Sequence, residues 1–216
     1  MADDADPESA ILAANRAAVA SLRDTAKWLV GGVTATAVGI FAGSSLTNLG
    51  SLDLQTHASR LGLAIAGVVV GFAGLALVLT KAIAVLTVES VDFPGLTEAK
   101  RGALKRTVDK LEKRYKGLLP GSAVDLAELR AKAEQHEKGT TDEDKAFMAE
   151  FLAFLPALMG EGSFLYVRYK FDALVWALYL GTPLALAGFG VYAWAANPPE
   201  DKPPPAKPPW LIINQP

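Results

Sequence analysis

Polar and apolar positions are distributed very unevenly along the chain. Three stretches, Trp28–Leu52, Leu61–Thr80 and Ala173–Pro199, contain no Asp, Glu, Lys or Arg. A helix rises about 1.5 Å per residue and a bilayer core is roughly 30 Å thick, so about 20 such residues suffice to cross it. The pattern predicts an all-α membrane protein with three transmembrane helices, a two-span hairpin plus one later span, and a small cytoplasmic helical bundle. The hairpin occupies 28–88, with spans at about 28–50 and 61–81 joined by the short loop Ser51–Arg60. The third span is expected at 172–197.

The flanks have a different periodicity. Residues 1–27 are alanine-rich, with Ile11, Ala18, Val19, Leu22 and Ala26 at helical spacing, which predicts a juxtamembrane helix running into span one. Between the second and third spans lies the charged block 89–171. There, Leu104, Val108, Leu111, Tyr115 and Leu118 mark an amphipathic helix, with Thr97 as its start cap and Pro120-Gly121 as its stop. Ser122 followed by Asp125 predicts a capping box for a second helix ending near Lys138-Gly139, and Thr141 with Asp144 repeats the signal for a third, Asp142–Leu158. The third is apolar over a wide arc from Phe147 to Met159. It is too short to span, so it is either bundle core or an interfacial helix. Residues 198–216 are proline-dense and predict an extended external tail ending in Trp210-Leu211-Ile212-Ile213.

Charge sets the orientation. Arg16, Arg23 and Lys27 precede span one and Arg168 and Lys170 precede span three, while the hairpin loop offers Arg60 and the tail Lys202 and Lys207. Cytoplasmic flanks carry the Lys/Arg excess, so the N-terminus and central block are expected inside and the C-terminus outside a bacterial inner membrane. Trp176 and Trp194 are 18 residues apart, roughly 27 Å along a helix, matching two interfacial aromatic belts. The acidic start (Asp3, Asp4, Asp6, Glu8) and the length of the first apolar run do not fit a cleavable signal peptide.

Candidate chemistry is sparse. The formal net charge is −2 and cysteine is absent, which argues against nucleic-acid partners and removes disulfides and thiolate sites. The two histidines, His57 and His136, are expected on opposite sides of the membrane, and no metal-ligand spacing, nucleophile elbow or phosphate loop is present. The expectation is a non-enzymatic chain without cofactor or metal. Small residues carry more information. Gly32, Gly39 and Gly43 share one face of span one, and Gly67, Gly71 and Gly74 one face of span two. Such faces let helices approach closely, either zipping the hairpin together or joining protomers into a homo-oligomer. Lys81 stands at the inner end of span two as an interfacial charge that snorkels to lipid phosphates. Lys100, Arg101, Lys105 and Arg106 lead a basic face suited to anionic membrane lipids or a phosphate-bearing nucleotide, or simply to solvent.

The segment RDTAKWLV at 23–30, followed by a glycine-alanine span and SSLTNLGSL at 44–52, resembles small bacterial multi-pass membrane proteins. The layout over roughly residues 20–90 also resembles the membrane effectors of cyclic-nucleotide anti-phage defence systems. That resemblance implies an effector that perturbs membrane integrity when its cytoplasmic helices drive association of the spans. The alternative is a membrane-anchored structural or adaptor subunit that docks a protein partner.

Overall fold

The computed structural model describes residues 7–43, 58–88 and 91–197. The outer part of the first expected span, the loop bearing His57 and the proline-rich tail with Trp210–Ile213 lie outside the described residues. What is described is helical: α1 (Pro7–Gly43), α2 (Ala58–Leu86), α3 (Phe93–Thr97), α4 (Gly102–Arg114), α5 (Leu126–Glu137) and α6 (Asp142–Ala196), with a 3-10 turn at Pro120–Ser122. Two of these, α2 and α6, are long and apolar enough to cross a membrane.

The juxtamembrane helix does run unbroken into the first apolar stretch, since α1 is one helix of 37 residues. The expected third bundle helix and the third span are likewise not separate. They form α6, a single helix of 55 residues that begins in a full Thr141/Asp144 capping box and continues through Pro156 and Pro183. Both prolines lie on exposed faces. Beyond Leu158 the helix keeps a buried side, with Glu161, Gly162, Leu165 and Val167 packed inward, so burial holds the segment that the sequence reading left between two elements. Two cap assignments also change. Thr97 closes the short α3, whose N-cap is Asp92, and α4 starts at Gly102. The cap of α5 is Asp125, which accepts from the Glu128 amide, while the Glu128 carboxylate accepts from the Val124 amide. The cap thus falls three residues later than Ser122 suggested, and the reciprocal bond of a capping box is replaced by one to the amide preceding the cap.

Two packed regions share α6. In the first, Leu96, Val108, Leu111, Leu126, Leu129, Phe147, Phe151 and Leu158 form one core from α3, α4, α5 and the first half of α6. Phe147, Phe151 and Leu158 thus join this packed core, with Met148, Phe154, Leu155 and Met159 partly buried against it. In the second, α2 packs most extensively on the latter half of α6, and α1 lies along both. Ala26 meets Ala82, Val85 and Leu174, whereas Ala37 meets Leu75, Ala185 and Phe189. Residue numbers thus rise together in α1 and α6 and fall in α2, so α2 runs antiparallel to the other two.

The glycine face of α2 is used against α6, not to zip the hairpin. A Cβ at Gly67 would meet the Gly188 carbonyl at 2.6 Å, one at Gly74 the Gly181 carbonyl at 2.5 Å, and one at Gly71 the Phe189 ring at 2.7 Å. The partner glycines Gly181 and Gly188 are equally closed by α2 backbone. Gly32, Gly39 and Gly43 differ: no described residue lies within 4 Å of a Cβ built there.

Replacing Gly188 with Ala forces backbone apart and is expected to cost about 1–3 kcal/mol, read as a lower midpoint of thermal unfolding in detergent. Gly39→Ala adds a methyl group where no described residue of the same chain stands, and should leave the midpoint of the detergent-dispersed monomer unchanged or slightly raised. Equal losses at both positions would contradict the packing.

Candidate functional site at the junction of bundle and spans

Charge inside this fold is concentrated where α6 leaves the bundle. Among the described residues Glu161 is the buried charged side chain, 8% exposed. A carboxylate at that depth needs partners, because desolvation without hydrogen bonds costs several kcal/mol. The end of α4 supplies them. Arg114 Nη1 donates to Glu161 Oε1 at 2.7 Å and the Tyr115 hydroxyl to Oε2 at 2.8 Å. The Tyr115 ring stands edge-on to Phe154, 5.2 Å between centroids. Burial, and then the hydrogen bond to Glu161, push the Tyr115 hydroxyl up to about 12. The arrangement locks the C-terminus of α4 to α6. A lone acid between two glycines, Gly160 and Gly162, in an otherwise apolar stretch was the signal available in the sequence.

A second polar lock sits at the start of α6. Asp144 accepts from the Thr141 amide at 2.8 Å and lies 2.7 Å from His136 Nδ1, whose ring packs over Phe147. The Thr141 hydroxyl, then His136, hold the Asp144 carboxyl down at about 2.

The expected basic site does not converge. Lys105 pairs with Asp109 at 2.9 Å, and this partner raises its pKa. Arg106 is exposed on α4, while Lys100 and Arg101 are exposed ahead of it. None of the four lines a groove described below. Arg114, in the last turn of the same helix, is committed to Glu161.

Cations and tryptophans mark both rims of the apolar region. Lys81 is exposed on α2. The neighbouring Ala82 packs with Ala26 and Leu174, which puts Lys81 near the level of Trp28 and Trp176, themselves 83% and 67% exposed. At the other rim the Arg60 guanidinium lies over the Trp194 ring, 5.2 Å from its centroid. Between the rims Ile65, Val69, Phe72, Leu180, Leu184 and Val191 are all exposed.

Three grooves open near these elements. One of about 440 Å³, almost wholly apolar, lies between α1 and α6 beside Gly32, Thr36, Leu186 and Phe189. A polar one of about 430 Å³ is bordered by Asp92, Tyr166 and Lys170. The largest, about 580 Å³, separates the first half of α1 from α6 around Gly160 and Ser163. No group of three or more His, Asp or Glu side chains is placed to hold a metal among the described residues. No family model, curated protein or solved structure matches the chain.

Both locks should appear in the pH profile of bundle unfolding. Asp144 has a lowered folded-state value, so its contribution is complete above the ordinary 3.8 and is lost as pH falls through about 2. Tyr115 has a raised one, so its contribution is complete below the ordinary 10.0 and is lost as pH rises through about 12. Denaturation midpoints across pH should show Asp144→Asn flattening the acid limb and Tyr115→Phe the alkaline limb. At neutral pH Tyr115→Phe should cost about 1–2 kcal/mol. Arg114→Gln should cost less, because the arginine side chain is 65% exposed and water screens it.

Proposed function

We propose that this chain is a three-span, non-enzymatic protein of the bacterial inner membrane, in which a cytoplasmic helical bundle governs association of the spans. One observation carries the reading: α6 is continuous from the bundle core to the far end of the apolar region. A rotation or tilt of the bundle therefore moves the α2–α6 pair directly, with no linker to absorb it.

Further features support the membrane arrangement. The stretch of α2 between Arg60 and Lys81 lies antiparallel to the stretch of α6 between Trp194 and Trp176, and each is bounded by interfacial residue types at both ends. The exposed aliphatic side chains between those rims are suited to lipid, since a soluble protein rarely leaves so continuous an apolar belt bare. Trp28–Gly43 in α1 runs beside them and supplies the described part of the remaining span. The cations Arg16, Arg23, Lys27, Arg168 and Lys170 on the bundle side support a cytoplasmic bundle.

The small face Gly32, Gly39 and Gly43, without a described neighbour, supports contact between protomers, since α2 has already used its own face. In this reading a signal received by the bundle alters packing among protomers and perturbs membrane integrity, as in the anti-phage effectors whose layout the chain resembles. The second reading, an adaptor subunit, is favoured by three apolar side chains on the bundle surface: Leu118, Val124 and Leu152, 69%, 78% and 57% exposed.

Reporter fusions at Met1 and Pro216 should report opposite sides of the membrane; the same side would mean that α1 does not cross. Gly39→Leu with Gly43→Leu should shrink the oligomer in native mass spectrometry and abolish the depolarisation that induced expression causes. An unchanged oligomer, or an intact membrane potential on expression of the unaltered chain, would remove the effector reading. Stoichiometric co-purification of a partner that is lost with Leu118→Glu and Val124→Glu would support the adaptor.

A further inference from the structure

The largest groove has a distinctive lining. Asn15, Arg16 and Arg23 line it from α1, Gly160 and Ser163 from α6, and Val88 from the end of α2. Arg16 and Arg23 are seven residues apart, two helical turns, and so project from the same side of α1 about 10 Å apart along its axis. Two arginine side chains at that spacing can reach a single oxyanion or diphosphate between them. Among the described residues that line the groove, none is acidic.

The state of Arg23 adds a second observation. Its Nη2 donates to the Val88 carbonyl at 2.6 Å, which fixes the plane of the guanidinium. Its Nε is buried and has no hydrogen-bond partner. Neither Arg16 nor Arg23 forms an ion pair with a described residue, whereas Lys27 and Lys105 both do. A buried, unpaired donor on a charged group is costly unless something accepts from it. The Asn15 amide and the Ser163 hydroxyl add neutral donors at the same groove.

We propose that this groove between α1 and α6 binds a phosphate group, held by Arg16 and Arg23 with Asn15 and Ser163 as auxiliary donors. Guanidinium is suited to the task because its planar fork matches phosphate oxygens two at a time. The phosphate comes from one of two sources, the headgroup of an anionic lipid or a soluble phosphate compound. Arg23 precedes Trp28 by five residues, roughly 7.5 Å along the helix, so the upper end of the groove opens close to the rim marked by Trp28. A bound phosphate would tie the first half of α1 to α6 just beyond Glu161. The site is distinct from the exposed lysines and arginines around α4, and it does not rest on the effector reading.

The test uses the full chain in phosphatidylcholine nanodiscs. Inorganic pyrophosphate is titrated by calorimetry in one arm; in the other, phosphatidylglycerol is added to the discs and retained lipid is counted by native mass spectrometry. Binding in either arm that weakens at least tenfold with Arg16→Gln and with Arg23→Gln supports the site, and the responding arm identifies the source. Arg16 is exposed and makes no internal bond, so Arg16→Gln keeps the fold even where Arg23→Gln does not. Arg23→Lys keeps the charge but loses the fork, and should weaken binding as well. Lys105→Gln with Arg106→Gln should leave binding unchanged. Absence of binding in both arms, wild-type binding by Arg16→Gln, or an equal loss with the α4 pair would overturn the proposal.

Discussion

The contact on which the rest depends is the backbone-to-backbone approach of α2 and α6. Both helices are long and apolar enough to cross a membrane, where no hydrophobic drive acts between helices and association would rely on close packing. Gly67, Gly71 and Gly74 facing Gly181, Ala185 and Gly188 allow it, with the Phe189 ring laid over Gly71. Once this pair is formed, α1 finds its place along it, with Ala26 and Ala37 buried at two levels. A side chain larger than glycine at the centre of the seam would separate the axes and open every contact above and below.

The same helix carries that constraint into the bundle. The first half of α6 contributes Phe147, Phe151 and Leu158 to a core completed by α3, α4 and α5. The two regions therefore share one rod, about 80 Å long at 1.5 Å per residue. Between them the buried carboxylate of Glu161 ties down the end of α4, and the groove lined by Arg16 and Arg23 separates α6 from α1. Among the described residues, the buried acid and the groove arginines thus sit near the joint, where the two apolar cores of α6 meet.

Much of the helix content could be read from the chain, because periodicity and caps act locally. The Thr141/Asp144 box and the stop near Lys138-Gly139 are made by residues adjacent in sequence, and both occur where expected. The Leu104, Val108 and Leu111 stripe is the buried side of α4. Reading failed where a non-local partner decides. Continuity of α6 past Leu158 comes from Leu96 and Leu111 closing over Gly162, and neither is near it in sequence. Arg114 belongs to a basic run by composition, yet is bound to Glu161, 47 residues away. The glycine stripes of spans one and two looked equivalent; only one has a described partner.

By itself the sequence determined the all-helical class, the apolar stretches and the cations and tryptophans at their ends, because burial and solvation in water or lipid act on each segment separately. The tertiary structure decided which small-residue faces are used, that α2 pairs with α6 and not chiefly with α1, and that Asp142–Ala196 is one helix. It also decided which arginines are neutralised and which stand open. Those outcomes depend on distances between residues far apart in the chain, where a change of one or two ångström separates a closed glycine seam or an ion pair from open space.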